Sequence, residues 1–169
     1  MKILKIGAFE LPVYAGLDLT QRYEPLGGEN IERAGTGRGI FQQTWRKTRV
    51  VTSGDGWVPP GLDAIDNSTP LALACIKPRT VPAVFATRQA TLPTTRRADA
   101  GHLPYGLAQL ASGQSVLAGV TLAGNVATVD AVAGAVAYQV GYYPLLTCWV
   151  KRSNESGPGH SWEFEAEEV

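Results

Sequence analysis

Ser53, Asp55 and His102 are the residue types of a nucleophilic triad, Asp63 and Asp66 those of an acid and base pair, and His102 and His160 the imidazoles a metal ion would need. Their settings argue against each chemistry. The order and surroundings of the first three match no nucleophile elbow. Asp63 and Asp66 follow Pro60-Gly61, where a short helical turn opens and acids complement its first amides. Each histidine stands in a loop, in Gly-His-Leu-Pro and Gly-His-Ser, with no cysteine or carboxylate at ligand spacing. Gly35-x-Gly-x-Gly39 lacks the following helix and the Lys-Ser or Lys-Thr of a phosphate loop, and reads as a hairpin turn. The expectation is a protein that is not an enzyme, with no catalytic residue, no cofactor and no metal. Among the tryptophans, Trp45, Trp149 and Trp162 lie in strand runs and read as core. Trp57, in a turn of Gly and Pro, is the one placed to touch a partner or stack on a sugar ring.

The elements around these residues are strands. Ile40 to Thr52 is rich in β-branched and aromatic residues and contains no Gly or Pro, which predicts one long strand. Simple alternation puts Phe41, Gln43, Trp45, Lys47, Arg49 and Val51 on one face and Ile40, Gln42, Thr44, Arg46, Thr48 and Val50 on the other. With Arg46, Lys47 and Arg49 in its middle, such a strand suits a subunit interface or a half-solvated sheet. Shorter strands are expected at Lys2–Ile6, Phe9–Tyr14, Leu19–Tyr23 and Ile31–Ala34, with Pro25-Leu-Gly-Gly28 as a loop between the last two. Leu62–Asn67 reads as one helical turn and Leu71–Ile76 as a buried strand. Val116–Leu122 and Val126–Val132 flank a turn and form a hairpin. Ala135–Tyr143 and Leu145–Arg152 follow, and Ser153–His160 is a loop. The closing strand places Trp162, Phe164 and Ala166 on one face and Glu163, Glu165 and Glu167 on the other. That acidic row marks a solvated edge or faces a basic surface.

Lys77 to Ser115 differs in character. It carries Pro78, Pro82, Pro93 and Pro104, the arginines Arg79, Arg88, Arg96 and Arg97, and one acid, Asp99. A connection this long with weak secondary-structure signal is usually functional or wrapped on a partner. It is expected to be an extended arm or insertion, with a short helix at Leu107–Ala111. The chain has 15 basic and 15 acidic residues, and zero net charge removes the usual argument for a nucleic-acid partner and favours association. With 19 Gly and 11 Pro, turns are many and helix is disfavoured. One all-β domain over 1–169 is the expected organisation. Cys75 and Cys148 read as small buried hydrophobes. Met1–Gly7 lacks the apolar core of a signal peptide, so synthesis in a cytoplasm is expected, and no run reaches the apolar length of a membrane span.

Gln43-Thr-Trp-Arg-Lys through Thr52-Ser-Gly-Asp-Gly-Trp-Val-Pro-Pro-Gly-Leu-Asp-Ala-Ile-Asp66, the apolar strand to Cys75 and Lys77-Pro-Arg79 resemble tail proteins of long-tailed bacteriophages. So does the closing Trp162-Glu-Phe-Glu-Ala-Glu-Glu168. The resemblance covers roughly residues 40–79 and the last few, and is greatest in style to baseplate or distal tail components. It implies a β-sandwich or split barrel arranged as a ring; the long irregular arm or inserted lobe at Lys77–Ser115 matches none of these proteins and is read from the residues alone. It also implies a place in the virion after assembly in the host cytoplasm, and other tail proteins (tube, hub or fibre components) as partners. On this reading the contact residues are Arg46, Lys47, Arg49, Trp57, Arg79, Arg88, Arg96, Arg97, Glu163, Glu165 and Glu167. A carbohydrate- or receptor-binding β module of the tail tip, using Trp57 and the glycine loops, is the second expectation.

Overall fold

The computed structural model describes residues 3–151, 154–156 and 160–169. Among them the chain forms strands and two 3-10 turns, with no α-helix. The strands are β1 (Lys5–Ile6), β2 (Phe9–Glu10), β3 (Asp18–Arg33), β4 (Gly39–Asp55), β5 (Leu71–Ala74), β6 (Arg79–Ala83), β7 (Gln89–Thr91) and β8 (Tyr105–Leu110). They continue as β9 (Ser115–Ala118), β10 (Val120–Ala123), β11 (Val126–Val129), β12 (Ala135–Tyr142), β13 (Leu145–Val150), β14 (Asn154–Ser156) and β15 (Ser161–Glu168). The fold is all-β, as expected. The chain divides into two compact units, Met1–Leu4 with Ala74–Leu146, and Lys5–Leu73 with Thr147–Val169. A single domain with an irregular arm at 77–115 is therefore corrected. That segment supplies β6, β7 and β8 to a compact unit inserted between β5 and β13.

In the larger sheet the strand order is β2-β1-β5-β13-β15-β4-β3, with β14 also paired to β15. β3 and β4 form one long antiparallel hairpin, closed by Ala34–Arg38 with Gly37 at positive φ, as the glycine spacing predicted. Two expected short strands and the loop between them are instead the continuous β3. Pro25 is tolerated because β3 lies at the sheet edge, where its missing N–H breaks no ladder. The glycine pair lies at a bulge rather than ending the strand: between the Gly27–Arg46 and Glu29–Gln43 pairs, β4 carries one residue more than β3. The simple alternation expected along Ile40–Thr52 breaks there.

Below the bulge one face is buried, and of the β4 residues on the other only Val51 is buried as well. Gln21, Val50, Thr52, Trp162, Phe164, Ala166, Cys148 and Val150 occupy matching rungs of four strands and are buried. Buried Gln21 donates to Thr52 Oγ1 at 3.0 Å, and Gly54 leaves room for the Trp162 ring, which a Cβ would meet at 2.6 Å. The opposite face is charged, so the sheet is half-solvated.

The inserted unit is a small sandwich of two antiparallel sheets, β6-β12-β8-β9 and β10-β11-β7. Its core draws Ala108, Tyr138, Val140 and Tyr142 from one sheet and Ala90, Ala127 and Val129 from the other. The expected strand Val116–Leu122 is split at Gly119, where the chain passes between sheets. A side chain there would lie 2.2 Å from Asp130 Oδ2. The hairpin itself forms, with Ala123 opposite Val126. Leu107–Leu110, expected as helix, lies in β8, whose rungs with both β9 and β12 override the local propensity. The expected helical turn at 62–67 shortens to Leu62–Ala64. Ser153–His160, expected as a loop, contains β14, whose residues Asn154–Ser156 pair with β15; the rest of it lies partly outside the described residues, as does Lys2. Cys75 and Cys148 are buried and form no disulfide.

Candidate functional site

Beyond the reach of β15, β3 and β4 continue as a two-stranded ribbon. β15 pairs with β4 from Arg49 to Gly54, whereas the hairpin runs on through the Glu29–Gln43 and Ile31–Phe41 rungs to Arg33–Gly39. From Gly39 to Arg46 every residue of β4 is exposed, as is every residue of β3 from Glu29 on. Among the described residues no strand pairs with the outer edge of this ribbon on either side. Ile31, Ile40, Phe41 and Trp45 stand in solvent, Phe41 at 59% and Ile31 at 63% exposure. Trp45 thus departs from its expected place in the core, and so does exposed Trp149, while Trp162 is buried as expected. An isolated two-stranded ribbon is marginal in water, and open edges with apolar side chains are a template for pairing with another chain.

The charged residues expected at an interface are partly joined within the chain. Arg49 lies opposite Glu167 in register and bridges it at 3.1 Å, with Glu24 at 3.9 Å on its other side. Lys151, the residue after β13, reaches Glu167 at 2.7 Å and Glu165 at 3.3 Å, so the ladder crosses three strands and ends beside a fourth. Lys151 holds the Glu167 carboxyl below its usual range. β15 is flanked by β4 on one side and by β13 and β14 on the other, so its acidic row is no sheet edge, and Glu163 is exposed while Glu165 and Glu167 are half-buried. Lys47 Nζ donates to the Val169 carbonyl, and Arg46 stays exposed on the ribbon.

The arginines of the inserted unit act mainly within it. Arg97, at 2% exposure, donates to the carbonyls of Ile3, Ala74 and Cys75 at 3.1, 3.3 and 3.0 Å and forks onto Asp99 at 2.8 and 2.7 Å. It is not available to a neighbour, which corrects that expectation. Arg96 ties the β10–β11 turn through Asn125 at 2.8 Å and the Gly124 carbonyl at 3.0 Å. Arg88, at positive φ, donates to the Val129 carbonyl at 3.0 Å. Half-buried Arg79 lies in register with Tyr142.

Asp99 also accepts from His102 Nδ1 at 2.9 Å, and the imidazole packs edge-on against Tyr143 at 4.9 Å. His102 is buried and its Nε2 has no hydrogen-bond partner. Burial, with the Arg97 charge, pushes its pKa down, while the Arg97 fork holds the Asp99 carboxyl well below its usual range. The arrangement fastens loop ends together, and no nucleophile is bonded to the imidazole. Ser53 instead bonds Thr20 at 2.7 Å and Asp55 accepts from Ser161, so the residue types of a triad do not assemble through their bonds. Asp63 and Asp66 line a cleft of about 570 Å³ with Asn67, Ser68 and Lys151. Asp66 accepts from the Ser68 amide at 2.9 Å, which lowers its pKa and makes it a turn-forming acceptor rather than a proton donor. Among the described residues no three His, Cys, Asp or Glu side chains gather as metal ligands. Among the described residues no helix is long and apolar enough to cross a membrane.

No protein-family model, curated protein or solved structure matches the chain. Sequence reasoning missed the Arg97–Asp99–His102 cluster. The available signal was the single acid of Lys77–Ser115, two residues after one arginine and three before the histidine.

Proposed function

We propose that the chain is a structural protein of a phage tail, acting by assembly rather than catalysis as a homo-oligomeric ring at the junction of tube and baseplate, beside other tail proteins. The observation that carries the reading is the exposed β3–β4 ribbon. Its two edges differ in charge. From Gly39 to Thr48, β4 bears Arg46 and Lys47 and no acid, whereas β3 from Glu24 to Arg33 bears Glu24, Glu29 and Glu32 against one arginine. Laying the β4 edge of one copy along the β3 edge of the next continues the antiparallel order and opposes unlike charges. Such a contact joins two different surfaces, and contacts of that kind form a ring when the rotation from copy to copy closes. The apolar side chains of the ribbon then lose solvent together, and zero net charge leaves little long-range repulsion to oppose it.

The test shortens the ribbon. Replacing Asn30–Gln42 by Asn-Gly joins the Glu29–Gln43 pair with a two-residue turn and leaves the buried rungs in place. The variant is expected to keep the far-ultraviolet circular dichroism of a β protein and to lose the oligomer. An oligomer that persists without the ribbon would overturn the reading.

A further inference from the structure

A second exposed feature lies at the other end of β4. Trp57 is 75% exposed and Tyr14 58%, and their rings are parallel within 8° with centroids 5.9 Å apart. Both are held by backbone. Tyr14 lies in the 3-10 turn Val13–Ala15, whose last carbonyl accepts from the buried Trp162 Nε1 at 2.7 Å. The Trp57 amide donates to the Tyr14 carbonyl at 2.7 Å. Gly56 permits that approach, because a Cβ there would lie 2.4 Å from the Tyr14 oxygen and 2.5 Å from Ala15 Cα. Beyond Trp57, Pro59 and a fully buried Pro60 stiffen the departing chain. The cost of exposing an indole is thus met by a dedicated loop rather than by a floppy surface side chain.

The charged side chains of these two segments are of one kind. Asp18 and Asp55 face each other in register at the strand ends, both exposed, and Asp55 also accepts the Ser161 hydroxyl. Neither Val13–Asp18 nor Asp55–Gly61 contains a lysine or arginine. A flat aromatic surface suits the C–H face of a sugar ring, and carboxylates accept from its hydroxyls. The same carboxylates, with no lysine or arginine in either segment, disfavour phosphate and other anions.

We infer that Trp57 and Tyr14 form a binding platform for the ring of a neutral saccharide, oriented by Asp55 and Asp18. The site does not rest on ring formation. In the test, the full-length protein is applied to an array of neutral and anionic glycans, and the bound glycans are titrated calorimetrically, with choline chloride as a cationic probe. Neutral hexose or hexosamine glycans are expected to bind. Trp57→Ala should weaken them by about tenfold or more, Trp57→Phe should recover part of the loss, and Trp45→Ala on the ribbon should change nothing. Circular dichroism of Trp57→Ala should match the parent, since the side chain is exposed. The shortened-ribbon protein should bind as the parent does, which separates this site from assembly. Binding of no neutral glycan, preference for choline or for anionic glycans, or affinity indifferent to Trp57→Ala would overturn the inference.

Discussion

Arg97 shows how one buried side chain can gather backbone from distant parts of a chain. Three carbonyls, from Ile3, Ala74 and Cys75, converge on its guanidinium, and Asp99 balances the charge. Arg97→Leu takes a charged donor from each of those acceptors and the guanidinium from Asp99, which costs about 3 kcal/mol or more. Urea unfolding of the two proteins side by side measures it, and a loss below about 1 kcal/mol would show that the fork is dispensable. His102 adds a pH dependence. Its folded value lies below the ordinary 6.5, so the unfolded chain takes up a proton near that pH which the folded chain resists. Its contribution is complete above pH 6.5 and is lost as the pH falls. Asp99, also lowered, contributes above the ordinary carboxylate value of 3.8 and is lost only in stronger acid. Melting temperatures recorded between roughly pH 5 and 8 should therefore fall on acidification, and His102→Phe should flatten the slope over that range.

Among the elements, local pattern gave strands wherever alternation or β-branching was strong, and erred where pairing overrode propensity. The closing strand, the glycine turn at 35–39 and the hairpin after Leu122 were legible because their signals are local. The 77–115 segment was not. Its prolines and arginines read as an arm, while its strands are short and are held by β11 and β12, which lie later in the chain. Deleting it would remove a large part of the inserted unit and so would test folding, not assembly. The ribbon was hidden for a similar reason: Pro25-Leu-Gly-Gly28 resembles a loop unless the edge position of β3 is known. Of the site, Trp57 was legible from its turn setting, whereas Tyr14 was not, because its partner is 43 positions away in the chain and is brought beside it by Gly56. Gly56→Ala forces backbone apart at that crossing and should destabilise the second unit by about 1–3 kcal/mol. Thermal denaturation of the variant measures this, and an unchanged melting temperature would mean that the loop relaxes without cost. On the ribbon, Phe41→Ser with Trp45→Ser should leave the melting temperature almost unchanged, since both side chains are exposed. The same pair should weaken self-association at least about tenfold, and sedimentation equilibrium would report both the change and its absence.

For the whole molecule the decisive property is what the chain does at rising concentration. A neutral protein of pI about 6.7, with a solvated charge ladder on one sheet and an unpaired ribbon at the sheet edge, has few long-range forces keeping copies apart. Charge opposition between ribbon edges adds only about 0.2–1 kcal/mol per pair, so salt should shift the register-setting part of association more than its strength. The most direct measurement is the mass of the purified protein by light scattering across a wide concentration range, with negative-stain imaging of the largest species. The account predicts one defined closed oligomer that grows in population with concentration and appears as rings. A monomer at every concentration would contradict it.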